Sequence, residues 1–205
     1  MLNTHTLLLN ILVVGYGSIG KRHIENLSKI KNIKIIVCTS RQKDTFLEQK
    51  DCRVFKKLQQ CIDENPHAAI ISNVTSKHIK VATLLANHKI HLFIEKPLSD
   101  SLNKITPLIT RIKKFNLITM MGCPLRFHPC IKFTKEYINS KKLGKIMSIQ
   151  CENGSFLPDW HEDKDYRKRY SAKKKLGGGV VLTCIHEIDY LYWFFGNPKM
   201  TSSMI

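Results

Sequence analysis

Six residues near the N-terminus constrain this chain more than any others. They are Gly15-Tyr16-Gly17-Ser18-Ile19-Gly20, a G-x-G-x-x-G motif. The motif follows the apolar run 10–14, N-I-L-V-V. It opens a stretch, 18–30, in which Ile24, Leu27 and Ile30 recur at three-residue steps. A buried strand, a glycine turn and an amphipathic helix in this order begin a dinucleotide-binding unit. Gly15 permits the tight turn, Gly17 lets the backbone approach a pyrophosphate, and Gly20 lets helix and strand pack closely. The free N–H groups and positive end of the helix, at Ser18 and Ile19, then stabilise the phosphates.

The same rhythm continues to residue 121. Apolar strands are expected at 33–38, 54–55, 68–71, 90–94 and 117–121. Helical stretches fall at 45–50, 57–64, 76–88, with Thr75 or Ser76 as its cap, and 99–115, with Ser99 as its cap. Strands written as continuous apolar runs, each followed by a helix, imply a parallel sheet covered on both faces. The fold class is α/β: a Rossmann parallel sheet over residues 1–122, then an incomplete α/β domain over 123–205. In the second part helices are expected at 127–139 and 180–195, a strand at 145–152 and an irregular loop at 156–176. One strand is too little to bury a sheet face.

Composition limits the function classes. Lys+Arg total 33 against 16 Asp+Glu, a formal net charge of +17. Such an excess favours anionic partners. Lysines dominate it and spread along the whole chain, so a solvated surface is the expectation, with no nucleic-acid partner. No zinc-finger spacing, stripe of stacking aromatics or long basic arm is written in the sequence. No apolar run reaches the ~18 residues of a membrane helix, and no cationic leader precedes an apolar core. Seven scattered cysteines, none spaced C-x-x-C, read as reduced thiols in a cytoplasmic protein, and no metal ligand is assigned.

Three further segments carry chemistry. About 20 residues after the glycines, NAD-selective folds place an Asp or Glu for the ribose 2′-hydroxyl. Here stand Cys38-Thr39-Ser40-Arg41. Ser40 can hydrogen-bond a 2′-phosphate and Arg41 can pair with it, so the cofactor expected is NADP, with NAD possible. Glu95-Lys96-Pro97 follows the strand at 90–94, at the end where ligands bind in a parallel sheet. Lys96 would point its ammonium toward nicotinamide and substrate and exchange a proton with a hydroxyl. Gly177-Gly178-Gly179 precedes His186-Glu187-Ile188-Asp189, and a neutral imidazole is the default proton shuttle near pH 7. A lone histidine is more readily a capping or core residue.

Together these residues resemble the Gfo/Idh/MocA family of oxidoreductases (glucose–fructose oxidoreductase / inositol dehydrogenase). The resemblance runs from about Asn10 to Pro198. It rests on the glycine motif, Asn73-Val74-Thr75 with His78, Glu95-Lys96-Pro97-Leu98 and Gly-Gly-Gly…His-x-x-Asp. It implies a Rossmann domain, a C-terminal domain with an open antiparallel sheet, and NAD(P)-dependent redox chemistry on sugars, inositols or nucleotide sugars. By resemblance Lys96 is the catalytic lysine and His186 the second proton-transfer residue. Asn73, Thr75 and His78 lie along the cofactor, and Glu95, Lys96 and Arg126 join the cofactor set. Leu125-Arg126-Phe127-His128-Pro129, Leu157-Pro158-Asp159-Trp160 and Asp165-Tyr166-Arg167 look like members of sialic-acid-like (legionaminate) sugar pathways. In two respects the chain departs from the family. Thr183 stands where an Asp is common, and a threonine cannot act as a carboxylate. Relatives also continue well beyond Ile205, so the chain looks like a shortened member.

The expected activity is therefore hydride transfer between a nicotinamide cofactor and a sugar, sugar derivative or nucleotide sugar, in a homo-oligomer without a membrane partner. The rival expectation, favoured by Thr183, is a catalytically impaired dinucleotide-binding module acting as sensor or subunit. Turnover separates the two.

Overall fold

The computed structural model describes residues 7–103, 105–160 and 165–204. Lys104, within the helix expected over 99–115, and residues 161–164, within the loop expected over 156–176, lie outside them. So do residues 1–6, where no leader is expected. The chain divides into two compact units: Met1–Gly122 with Lys175–Gly177, and Cys123–Lys174 with Gly178–Ile205.

Unit 1 is built on six parallel strands. They are β1 (Leu9–Val14), β2 (Ile33–Cys38), β3 (Arg53–Phe55), β4 (Ala68–Ile71), β5 (His91–Glu95) and β6 (Thr119–Gly122). Their order is β3-β2-β1-β4-β5-β6. The chain runs outward from β1 to β3, then returns to β1's other side, so the order reverses between β1 and β4. The register puts Val14 opposite both Cys38 and Ile71, Ile94 opposite Ile71, and Glu95 opposite Gly122. All these strands therefore end along one edge, and the reversal opens a crevice there of the kind that takes ligands.

The apolar runs explain the two-sided cover. Alternate residues of a strand face opposite ways. Leu12 and Val14 join a buried cluster with Cys61 and Ile62 of α3 (Leu58–Asp63), Ile79, Ala82 and Leu85 of α4 (His78–Asn87) and Leu108 of α5 (Ile105–Lys114). Val13, between them, joins Ile35, Val37, Ile24 of α1 (Ser18–Leu27) and Leu47 of α2 (Thr45–Gln49). Each fully buried Leu or Ile contributes roughly 1.5–3 kcal/mol by leaving water. Among the described residues no helix is long and apolar enough to cross a membrane.

Two helix starts differ from expectation. A 3-10 turn at Thr75–Lys77 precedes α4, which begins at His78. The helix expected from Ser99 begins at Ile105, because the Ser99 hydroxyl accepts the Ser101 N–H at 3.2 Å and closes a local turn instead.

Unit 2 contains α6 (Pro129–Asn139), α7 (Val180–Thr183) and α8 (His186–Phe195), with 3-10 turns including Pro124–Phe127, Leu157–Trp160 and Tyr166–Lys168. Pro129 sits in the first turn of α6, where its missing N–H costs nothing, and the His128 ring accepts the Cys130 N–H. The open antiparallel sheet expected here has no strand among the described residues. Residues 145–152 have no neighbouring strand among them to complete a ladder, and Met147 and Ile149 stay exposed. The segment is tied down by Cys151, whose sulfur lies 2.9 Å from the Tyr190 hydroxyl of α8. The single helix expected over 180–195 is two, broken at Cys184 and Ile185. Val180, Val181 and Thr183 are β-branched, which weakens the first piece.

Candidate functional site

The glycine loop behaves as its spacing demands. Gly15 has φ +104°, and its N–H donates to Cys38 O at 3.0 Å. A Cβ on Gly15 would stand 2.6 Å from Asn73 N, and one on Gly20 would stand 2.1 Å from Gly15 O. Turn, strand and helix therefore interlock through backbone. Gly17 is different: among the described residues nothing lies within 4 Å of where its Cβ would be. It caps α1 without a side chain, so the first N–H groups of the helix, from Ser18 onward, keep their hydrogen-bonding capacity for a ligand.

Beyond β2, Thr39 is buried and its hydroxyl accepts the Arg41 N–H at 3.1 Å, fixing the turn that leaves Ser40 and Arg41 exposed. The Arg41 guanidinium lies 6.0 Å from the Tyr16 ring centroid. Tyr16 is buried, and its hydroxyl donates to the Asp44 carboxylate, 2.8 and 2.9 Å from its two oxygens. Asp44 also caps α2 by accepting the Leu47 N–H, and Lys21 Nζ lies 3.5 Å from its Oδ2. Burial, then Asp44, pushes the Tyr16 hydroxyl pKa far above its ordinary value. The Tyr16 bond holds the Asp44 carboxyl below its ordinary value. Sequence reasoning stopped at Arg41 and missed Asp44, the first acid after β2.

The loops after β4 and β5 complete this edge of unit 1. The Ser72 hydroxyl lies 3.2 Å from Val14 O and Gly15 O, binding β4 to the glycine turn. Asn73 follows, with its Oδ1 buried and without a hydrogen-bond partner among the described residues. Thr75 is buried beneath Gly177, where a Cβ would come within 2.6 Å of the Thr75 Cβ. His78 is buried, with Nδ1 2.9 Å from Pro97 O and Nε2 3.0 Å from Asn73 O. It joins the β4 and β5 loops from below. Glu95 Oε1 lies 2.7 Å from Nε2 of His23 on α1, and its Oε2 accepts the Lys96 N–H at 3.3 Å. The Glu95 carboxylate fills the space over Gly122. His23 is a second residue the sequence reading missed, although it lies one turn before Leu27 on the packed side of α1. Lys96 starts directly from the carboxyl end of β5.

In unit 2, Arg126 forms a fork with Asp189, donating Nε–H to Oδ2 at 2.9 Å and Nη2–H to Oδ1 at 2.6 Å. Its guanidinium lies 5.7 Å from the Trp193 ring centroid, and Lys135 Nζ lies 4.6 Å from the same centroid. His186 opens α8, and Thr183 ends α7.

The edge of unit 1 thus brings together Gly15, Gly17, Ser18, Ile19, Gly20, Ser40, Arg41, Asn73, Glu95 and Lys96. Arg126 and His186 belong to the other unit. The residues present fit a dinucleotide. Gly17 leaves open space, α1 offers uncapped amides, and the buried Asn73 oxygen lacks a donor that a ribose hydroxyl or a carboxamide would supply.

Comparison with known proteins agrees with this geometry. Residues 9–123 match the model of the GFO_IDH_MocA oxidoreductase family, NAD-binding Rossmann fold, and residues 131–205 match the GFO/IDH/MocA C-terminal domain. Myo-inositol 2-dehydrogenase of Thermotoga maritima is 30% identical over 195 residues, covering 92% of this chain and 55% of the relative. The 2,7-anhydro-N-acetylneuraminate hydratase of Escherichia coli is 22% identical over 207 residues, covering 97% of this chain and 52% of the hydratase. The structure of scyllo-inositol dehydrogenase from Lactobacillus casei, with bound NAD(H) and scyllo-inositol, superposes with TM-score 0.75 at 23% identity. That match covers 92% of this chain and 56% of that one. The chain spans about half the length of these curated relatives.

Proposed function

Because this chain belongs to the GFO/IDH/MocA family of NAD-binding oxidoreductases, we propose that it works as a dehydrogenase on a CH–OH group of a sugar or polyol, with a preference for NADP. The observation that carries the reading is the position of Lys96. It leaves the carboxyl end of β5, on the edge that holds the glycine loop and the unpartnered Asn73 oxygen. The activities of the inositol dehydrogenases and of the anhydro-sialic-acid hydratase support a polyhydroxylated substrate.

In this reading the glycine loop and the N-terminus of α1 hold the pyrophosphate, and Asn73 accepts a hydrogen bond from the cofactor. Ser40 and Arg41 take the 2′-phosphate. The bound nicotinamide supplies the hydride acceptor or donor. Lys96 moves the hydroxyl proton: its amine takes the proton as the alcohol becomes a carbonyl, and its ammonium returns it in the reverse direction. His186 is the second proton-transfer group, and Arg126 and Asp189 brace the second domain. Thr183 cannot hold a proton as a carboxylate would. Glu95 keeps Lys96 in place through its backbone N–H, and His23 keeps Glu95 in place.

The test has two parts. Nicotinamide fluorescence during titration with NADPH and NADH reads binding, and inositols, hexoses and N-acetylated sugars offered with NADP or NAD read turnover. Binding of NADPH ahead of NADH with turnover of one sugar class is expected. Binding without turnover across the panel would leave a dinucleotide-binding module, and absence of binding would refute the site altogether.

A further inference from the structure

Asp44 poses a problem for any dinucleotide entering this site. It is the first acid after β2, and the Tyr16 hydroxyl brings its carboxylate to the glycine loop, since Tyr16 stands between Gly15 and Gly17. An acid near the end of β2 is what an NAD-selective fold uses to hold the ribose 2′-hydroxyl, and it repels a 2′-phosphate. Yet this carboxylate is already engaged. Its Oδ1 accepts from both the Tyr16 hydroxyl and the Leu47 N–H, and its Oδ2 faces the Tyr16 hydroxyl and the Lys21 ammonium. A carboxylate offers about four acceptor positions. The Tyr16 hydroxyl and the Leu47 N–H occupy about two of them, and the Lys21 ammonium offsets its charge.

We propose that Tyr16 and Asp44 form a clasp that sets cofactor selectivity, withholding the Asp44 carboxylate from the ribose so that Arg41 can meet a 2′-phosphate. The inference rests on the NADP-preferring reading of this site. The Tyr16 ring is the hub. Lys21 Nζ lies 4.8 Å from its centroid and the Arg41 guanidinium 6.0 Å, while Phe46 supports it from 6.3 Å. One tyrosine thereby anchors the acid on its hydroxyl and carries two cations on its ring. The sequence alone hides this, because the residue inside G-x-G is free to vary in the motif and Asp44 lies six residues beyond the strand. Tyr16 and Asp44 act through what they hold, so they are positioning residues.

The clasp predicts a change in selectivity rather than a general loss of affinity. The full chain would be titrated with NADPH and NADH, as the parent and as Tyr16→Phe, Tyr16→Phe/Asp44→Asn and Arg41→Ala. Phenylalanine keeps the ring and removes the hydroxyl, which frees Asp44 to attract a 2′-hydroxyl and repel a 2′-phosphate. The preference for NADPH should fall by about fivefold or more, in keeping with the strength of a single charge-assisted hydrogen bond. Adding Asp44→Asn removes the freed charge and should restore the parent's preference. Arg41→Ala should weaken NADPH about tenfold and leave NADH nearly unchanged. If Tyr16→Phe weakens both cofactors equally, the tyrosine is only structural and the clasp is overturned. It is also overturned if the double variant keeps the altered preference of Tyr16→Phe. If Arg41→Ala leaves the preference untouched, the NADP reading fails and takes the clasp with it. An Arg41 response beside a silent Tyr16→Phe overturns the clasp alone.

Discussion

Replacing Gly20 by alanine would plant a methyl carbon 2.1 Å from the carbonyl oxygen of Gly15, and 3.1 Å from both Gly15 C and Ser72 Oγ. Even a close C–H···O approach needs about 3.3 Å, so something must move by roughly 1 Å. The obstacle is backbone, and it is held. Gly15 N–H is bound to Cys38 O, and the Ser72 hydroxyl sits on Gly15 O. Overpacking costs about 1–3 kcal/mol, and this site belongs at the top of that range. Alanine returns up to about 1 kcal/mol as a better helix former than glycine. The net expectation is a loss of about 2 kcal/mol in the stability of unit 1. Gly17→Ala is the matched control. Its backbone is extended, with φ −92° and ψ −168°, and its new methyl meets nothing within 4 Å. Stability should fall by no more than about 1 kcal/mol, the usual difference between good and poor caps. Its affinity for NADPH should drop about tenfold or more, because the methyl occupies the approach to the helix amides. Urea unfolding followed by circular dichroism and NADPH titration measure both quantities on both variants. The reasoning is refuted if Gly20→Ala stays within about 0.5 kcal/mol of the parent, the scatter of an ordinary surface change. It is equally refuted if Gly17→Ala binds NADPH as the parent does.

Lys96→Ala should lower sugar turnover by about 10²–10⁴-fold, the range for a general acid–base group, while NADPH affinity stays within a few-fold; near-normal steady-state turnover would remove Lys96 from the chemistry. Arg126→Ala strips two charge-assisted bonds from Asp189, whose side chain is only 8% exposed. Because Arg126 itself is 32% exposed, the cost should be about 2 kcal/mol rather than the ~3–5 kcal/mol of a fully buried pair. Arg126→Lys should recover little of it, since an ammonium cannot form the fork. Fluorescence of Trp160 and Trp193, both in unit 2, reports this unfolding. The Cys151 hydrogen bond, and then burial, push the Tyr190 phenol up to about 12. A raised phenol pKa stabilises the fold below pH ~10 and loses that contribution as pH climbs through the folded value. Ultraviolet titration should show Tyr190 ionising late beside Tyr16, and Cys151→Ala should bring the Tyr190 phenol alone back toward ~10.

The parallel sheet was legible because its strands are predominantly apolar runs: residues 33–38 and 68–71 fold as strands over those same spans. Where a polar side chain had a choice, pattern was less informative. Ser99 resembles a helix cap but closes a turn on Ser101, a local decision that hydrophobic periodicity does not record. Residues 145–152 alternate like a strand, but alternation cannot supply the neighbour a ladder needs. At the candidate site, Gly15, Gly17 and Gly20 were readable because their spacing is a backbone requirement. Asp44 and His23 were not, because each reaches the site through a partner distant in sequence, Asp44 through Tyr16 and His23 through Glu95.

His78 has a consequence of its own for the two loops it joins. Both of its nitrogens face backbone oxygens, Pro97 O on one side and Asn73 O on the other, and an oxygen of that kind only accepts. The loop behind Lys96 and the loop bearing Asn73 are thus held by opposite edges of the same ring. The two halves of the crevice are tied through one buried ring, so a movement of either loop is felt by the other.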